Sequence, residues 1–410
     1  MAVNLLTLKE LLVFISAGAP AERAHERTHR VPLGAAMRIL LDYRPALRAR
    51  SGVGEYVHQV ARHLVSDYPG DSVTLFTTSW KDRPDPKLEI DWPGVRISDH
   101  HVPVSLLNLA WHNIEWPPVE LLAKDDYDVV LSSHPLLMPT RRAARVVTIH
   151  DIDFMRHPER TQREIRRDYP RLAALHARRA DRVIVPSRYT ASEVSQVLGV
   201  PHAQISLCPP GAPRWRDPIA GRATEDGYVL FMGTLEPRKN VGLLLAAYER
   251  LLARRLSVPK LLLAGSAGRE AQAWLDAVSR PPLAGYVEHI GYVTEENRQR
   301  VYSRARMLVL PSFNEGFGMP VLEAMSLGIP VIVSDRGALP ELVGDAGLVV
   351  SPDSEDSLAS AVERLLTDHR LIETLSQKGR ERARQFDWHQ TATAIHQAFE
   401  EAIHARAHRN

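Results

Sequence analysis

The sequence predicts an α/β protein of two Rossmann-like domains facing each other across a cleft. Apolar runs of strand length recur with helix-length spacers, as alternating strands and helices require. The runs fall into two series, split by Cys208-Pro-Pro-Gly-Ala-Pro213 and a charged, glycine-containing segment up to Gly227. Proline fixes φ and removes a donor, so that stretch reads as an inter-domain connector. Nearly every run closes on a small or polar residue, and in open parallel sheets ligands collect beyond those carboxyl ends.

Residues 1–36 differ from the rest and read as a poorly ordered N-terminal extension, appended or mis-started. Leu11–Ser16 resembles a signal-peptide core, but Lys9 and Glu10 spoil its flank. The first domain is expected over 37–212, with strands at Arg38–Asp42, Val73–Thr77, Asp128–Ser132, Arg145–His150 and Arg182–Val185. The second is expected over 213–385, with strands at Tyr228–Thr234, Lys260–Ser266, Val287–Val293, Met307–Ser312 and Pro330–Asp335. Within 386–410, a last helical pattern runs from Thr391 to about Ala405.

A chain of 410 residues is long enough for two domains with separate cores. Its formal charge of +2 gives no reason to expect nucleic acid as a partner. A single cysteine, Cys208, excludes an intrachain disulfide and points to a reducing, cytoplasmic compartment. No apolar run approaches the roughly 20 residues needed to span a bilayer.

The segment most informative about chemistry is Glu315-Gly-Phe-Gly-Met-Pro-Val-Leu-Glu323. Met307-Leu-Val-Leu310 before it is too apolar to alternate and reads as a buried parallel strand. Gly316 and Gly318 permit a tight turn and close approach of a ligand to the backbone. Pro320 suits a first helical position, and Gly328 suits the stop. A helix starting there, near Val321, aims free N–H groups and the positive end of its dipole at the turn, which suits an anion. Carboxylates on either side would repel a bare phosphate. They suit sugar hydroxyls at the two ends of a diphosphate, one glutamate on the transferred sugar and the other on the ribose. The plainer alternative is one capping and one loop glutamate.

This stretch closely resembles the E-x7-E motif of the family 4 retaining glycosyltransferases, which have the GT-B fold. Other pieces are similar in the right order: Ser51-Gly52-Val-Gly54 to the family's N-terminal glycine loop, and Thr148-Ile-His150-Asp151 to its acceptor-side histidine motif. Val185-Pro-Ser187 resembles the end of its first domain, and Phe231-Met-Gly233-Thr234-Leu-Glu-Pro-Arg238-Lys239-Asn240 its donor-phosphate loop. The resemblance runs from Met37 to the C-terminus. Where many members carry Arg after the glycine, this chain has Thr234, which leaves Arg238 and Lys239 as the basic pair. Members with a similar loop include mannosyltransferases of surface-polysaccharide assembly. In similar proteins the last helix crosses back onto the first domain.

The resemblance implies a retaining transferase moving a hexose from a nucleotide-diphosphate sugar to a hydroxyl of a glycan or lipid-linked oligosaccharide. No cofactor or metal is implied. The departing diphosphate gathers negative charge, and Arg238, Lys239, the helix start near Val321 and the Gly52–Gly54 backbone are the groups placed to stabilise it. Arg supplies a planar fork and Lys a compact charge, although Pro-Arg-Lys-Asn also reads as a solvated helix start. The choice of donor base and sugar depends on the loop geometry around Gly265, Tyr292-Val293 and the Phe317-Gly318-Met319 turn. His150, Asp151 and Ser187 fall on the acceptor side. His150 donates to a sugar hydroxyl or to the anomeric centre rather than acting as a base, since the leaving phosphate takes the acceptor proton in such a scheme. Whether Glu315 bonds covalently to the sugar or only hydrogen-bonds to it stays open.

Three patterns compete for attention. His25-Glu-Arg-Thr-His29 fits the H-E-x-x-H zinc pattern but falls in the N-terminal extension. Asp126-Tyr-Asp128 and Asp151-Ile-Asp153 are Asp-x-Asp pairs of the kind that hold a metal on a diphosphate in another transferase architecture. Arg156 to Arg182 is arginine-rich: a solvated helical face, or a basic surface for anionic lipid and a peripheral site at the inner face of the membrane. Two further function classes stand beside the transferase: an epimerase or phosphorylase-like enzyme of the same fold, and an inactive nucleotide-sugar-binding protein. The presence of Glu315, Glu323, Lys239 and His150 together argues against the last.

Overall fold

The structure is a computed structural model. It describes residues 36–47, 50, 52–158, 163–215, 227–254 and 257–409, without side chains for 163–168. The N-terminal extension with its His25–His29 pattern, Ser51, and part of the arginine-rich stretch lie outside the described residues.

Two parallel sheets form the scaffold. The first contains β1 (Arg38–Asp42), β2 (Ser72–Thr78), β3 (Arg96–His100), β4 (Val129–Ser132), β5 (Ala144–Thr148), β6 (Arg182–Val185) and β7 (Ile205–Leu207), in the order β3-β2-β1-β4-β5-β6-β7. The second contains β8 (Tyr228–Met232), β9 (Leu261–Ala264), β10 (Val287–Gly291), β11 (Ala305–Leu310), β12 (Val331–Ser334) and β13 (Leu348–Val350), in the order β10-β9-β8-β11-β12-β13. Each order reverses once, between β1 and β4 and between β8 and β11, which opens a crevice at the carboxyl ends of those strands.

Each of the ten strands expected from sequence overlaps an observed one, and each sheet gains edge strands. β3 and β7 flank the first sheet and β13 closes the second. Several expected strands end sooner. β5 stops at Thr148, so His150 stands in the following loop rather than closing the strand.

Strands at the sheet centres are buried on both faces, β8 and β11 in the core of the second domain and β1 and β4 in the first. The helix Trp388–Arg409 follows the second domain in sequence yet packs against the first. Trp388, Ala392, Ile395, Phe399 and Ala402 form its apolar stripe and enter the first domain's core against the helix Val53–Asp67. The two connections between domains run side by side: Ala212 N donates to Phe386 O at 3.0 Å, and Thr391 Oγ1 to Pro209 O at 2.6 Å.

Candidate active site

Between the sheets, at the carboxyl ends of β1, β5, β8, β9, β10 and β11, lies a cavity of about 380 Å³. Glu315 follows β11 and is buried beneath it. Its Oε1 accepts from Lys239 Nζ at 2.5 Å and Ser312 Oγ at 2.7 Å, and its Oε2 faces Arg238 at 3.4 Å. Burial alone would push this carboxyl up, but Lys239 and Arg238 outweigh it and hold it below the ordinary glutamate value. Lys239 and Arg238 come from a single 3-10 turn, Pro237–Lys239, just beyond β8. Arg238 is further anchored on Asn314 O and Glu236, at 3.0 Å each, and faces Asp151 of the first domain at 3.7 Å.

Gly318 takes φ +106° as the N-cap of the helix Met319–Ser326, with Pro320 in its first turn. Glu323 stands on that helix, buried, and accepts from Arg298 at 3.2 Å. Burial pushes the Glu323 carboxyl up and Arg298 only partly opposes it. The two glutamates therefore differ in character: Glu315 is held ionised by two cations, and Glu323 is the more easily protonated.

His150 faces this group from the first domain. Its ring packs edge-on against Tyr56 with centroids 5.0 Å apart. Nε2 is buried and has no hydrogen-bond partner among the described residues. Burial brings the imidazole down to about 4, so it is neutral at physiological pH.

Gly52, Gly233, Thr234, Arg238, Lys239, Gly265, Val293, Phe317, Gly318, Met319, Pro320 and Glu323 line the cavity, with His150, Asp151 and Glu315. Three expected residues do not. Gly54 is a packing glycine, since a Cβ there would meet Pro45 O at 2.7 Å. Val321 is fully buried, and its N–H already donates to Gly318 O at 2.9 Å, so that position of the helix start offers a ligand nothing. Ser187 is buried and ties the domains together: its hydroxyl donates to Gly316 O at 2.7 Å and caps the helix Arg188–Leu198. Tyr56, Glu236, Ser266 and Arg298 also line the cavity and were not expected. Glu236 adjoins a motif and was within reach of sequence reasoning. Arg298 sits in a polar helical run and gave no signal.

The glycine turn docks directly on the first domain. A Cβ on Gly316 would fall on the His150 carbonyl oxygen, and Thr190 Oγ1 also donates to Gly316 O at 3.1 Å. Glu341 accepts from Arg188 N and Tyr189 N, at 3.0 Å each, capping a first-domain helix from the second domain.

One member of each Asp-x-Asp pair is otherwise engaged. Asp128 precedes β4 at the far end of the sheet and binds Arg38, while Asp153 accepts from Asn314 at 3.2 Å. In the arginine-rich stretch, Arg156 pairs with Glu193 and Arg179 with Glu115. Among the described residues no helix is long and apolar enough to cross a membrane.

Residues 50–216 match the family model described as Glycosyltransferase Family 4, and 226–368 the model described as Glycosyl transferases group 1. The chain belongs to the family 4 glycosyltransferases. Among relatives of this family, O-antigen chain mannosyltransferase B of Escherichia coli is 29% identical over 88% of this chain and 99% of its own. A D-inositol 3-phosphate glycosyltransferase of Kribbella flavida is 25% identical over 88% of this chain and 93% of its own. Sucrose-phosphate synthase from Thermosynechococcus elongatus superposes with a TM-score of 0.71 at 23% identity, covering 88% of this chain and 98% of that one. HepE from Anabaena, solved with UDP and glucose, gives 0.65 at 18% identity, with coverage of 88% and 98%. The fold is GT-B, and the chain is a glycosyltransferase.

Proposed function

We propose that this glycosyltransferase moves a hexose, with mannose the first choice, from a nucleoside-diphosphate sugar to a hydroxyl of a glycan or lipid-linked oligosaccharide, retaining the anomeric configuration and using no resident metal. One observation carries the reading: Arg238 and Lys239 converge on Glu315 at the mouth of the second sheet, opposite the unpartnered Nε2 of His150. The choice of mannose and of a surface glycan leans on the relative named an O-antigen chain mannosyltransferase.

In this reading the donor diphosphate lies over Arg238 and Lys239, which stabilise the charge that grows as the sugar leaves. The leaving phosphate takes the acceptor proton, so no side-chain base is required. His150, neutral, hydrogen-bonds to a sugar hydroxyl through Nε2. Glu315 accepts from hydroxyls of the transferred sugar; with its oxygens already engaged by Lys239, Ser312 and Arg238, it is a poor nucleophile. Glu323 accepts from the ribose. The enzyme works in a reducing compartment, peripheral to the membrane that carries its acceptor.

The test is a donor screen by mass spectrometry, each nucleoside-diphosphate hexose with a lipid-extract acceptor, with and without chelator, followed by NMR of the new linkage. Transfer of mannose with retained configuration and undiminished by chelator is expected. No transfer from any nucleotide sugar, or an inverted linkage, overturns the reading.

A further inference from the structure

Arg298, on the helix Glu295–Ser303, places one prong of its guanidinium on each domain. Nη1 donates to Oε1 of Glu323 at 3.2 Å, and Nη2 to the backbone carbonyl of Arg50 at 2.6 Å. Tyr292 donates to that same carbonyl at 3.3 Å, and the Arg50 guanidinium reaches Glu295 at 3.0 Å. One short segment of the second domain thus grips residue 50, immediately ahead of the Gly52 turn that lines the cavity. From the first domain Glu55 is also buried here, with Oε2 lacking a hydrogen-bond partner among the described residues.

Arg298, Glu323 and Glu55 are all under a tenth exposed. Buried charges cost desolvation, and apolar side chains would hold two fixed surfaces together at lower cost. A polar clasp differs in one respect: it can part and be rewetted without exposing apolar surface, as mobile domains require. The planar fork matters too, because it ties its two acceptors together in one fixed plane, whereas the three donors of an ammonium share one nitrogen and rotate freely.

We propose that Arg298 is a positioning residue that couples occupancy of Glu323 to the placement of the Arg50 carbonyl and, beyond it, of the Gly52 backbone that lines the cavity. This rests on the proposed role of Glu323 at the ribose. A hydroxyl seated on Glu323 fixes that carboxylate and with it the plane of Arg298. The second prong then fixes the Arg50 carbonyl and sets the Gly52 backbone over the cavity.

Hydrogen exchange by mass spectrometry over residues 52–60, with and without UDP or GDP, reads the coupling directly. In the wild type, nucleotide slows exchange there by about tenfold, the scale of ordinary site-to-site coupling. In Arg298→Ala that protection is lost while nucleotide binding weakens less, and kcat falls by about tenfold or more with donor KM changed little. Arg298→Lys, which keeps the charge without the fork, shows the same loss and guards against misfolding of the alanine variant. Unaltered protection in both variants, or a change in KM alone, overturns the proposal. Absence of nucleotide binding in the wild type instead overturns the donor reading itself, and this coupling with it.

Discussion

The Lys239 ammonium lies 2.5 Å from Oε1 of Glu315, an oxygen that also accepts from Ser312. The first glutamate of the motif is therefore a held acceptor whose charge is shared with Lys239, one of the two cations proposed to face the diphosphate. Replacing Glu315 by Ala should lower turnover at saturating donor by about 10²-fold or more, the scale of a lost transition-state contact. Mass spectra of wild-type enzyme with donor alone should show no glycosyl-enzyme adduct. A trapped adduct on Glu315 would make it the nucleophile.

Gly316 packs on the His150 carbonyl with no room for a side chain. Gly316→Ala should push the domains apart at this point and reduce activity by about 10²-fold, because misplacement of an ångström is enough to do so. Circular dichroism should report intact domains, and small-angle scattering a more open molecule. Wild-type activity in Gly316→Ala would mean that this contact is not kept during turnover.

Acid should unfold the protein through its histidines. Burial pushes His58 down to about 3, and His134, His150 and His176 to about 4. Between those values and the ordinary histidine range near 6.5, the unfolded chain binds more protons than the folded one, so stability rises with pH across that window. Thermal unfolding should show Tm falling steadily from pH 6.5 to 4.5, with less change from 7 to 8. A flat profile over the lower window would contradict the burial of these rings.

Glu341 caps a helix of the other domain through two backbone N–H groups. Glu341→Ala should cost about 1 kcal/mol in denaturant unfolding, as loss of a helix cap does. A larger loss would indicate that the carboxylate is a principal tie between the domains.

The central strands were legible because burial on both faces leaves them almost wholly apolar, as Met307-Leu-Val-Leu310 illustrates. The strands that escaped notice are sheet edges. Arg96-Ile-Ser-Asp-His100 keeps polar groups facing solvent, and Leu348-Val-Val350 is too short to establish a period. The strand-end motifs were legible because their spacing is local. Gly54, Val321 and Ser187 sit inside those motifs, but what occupies their surroundings is set by packing from elsewhere: Pro45, the helix's own first turn, and Gly316. Arg298 was hidden for the same reason. Its neighbours Glu295-Glu-Asn-Arg298-Gln-Arg read as a solvated helix, and one of its two acceptors lies 248 residues earlier in the chain.

The helix Trp388–Arg409 fills the first domain's core, yet the ribosome makes it after the whole second domain. At about 5–20 residues per second, the nascent chain waits roughly ten to forty seconds between finishing β7 and receiving that helix. Throughout that interval the groove that takes Ile395 and Phe399 has no cover. A transcript cut short after the second domain would release a chain whose earliest-made half is marked for chaperones and proteases.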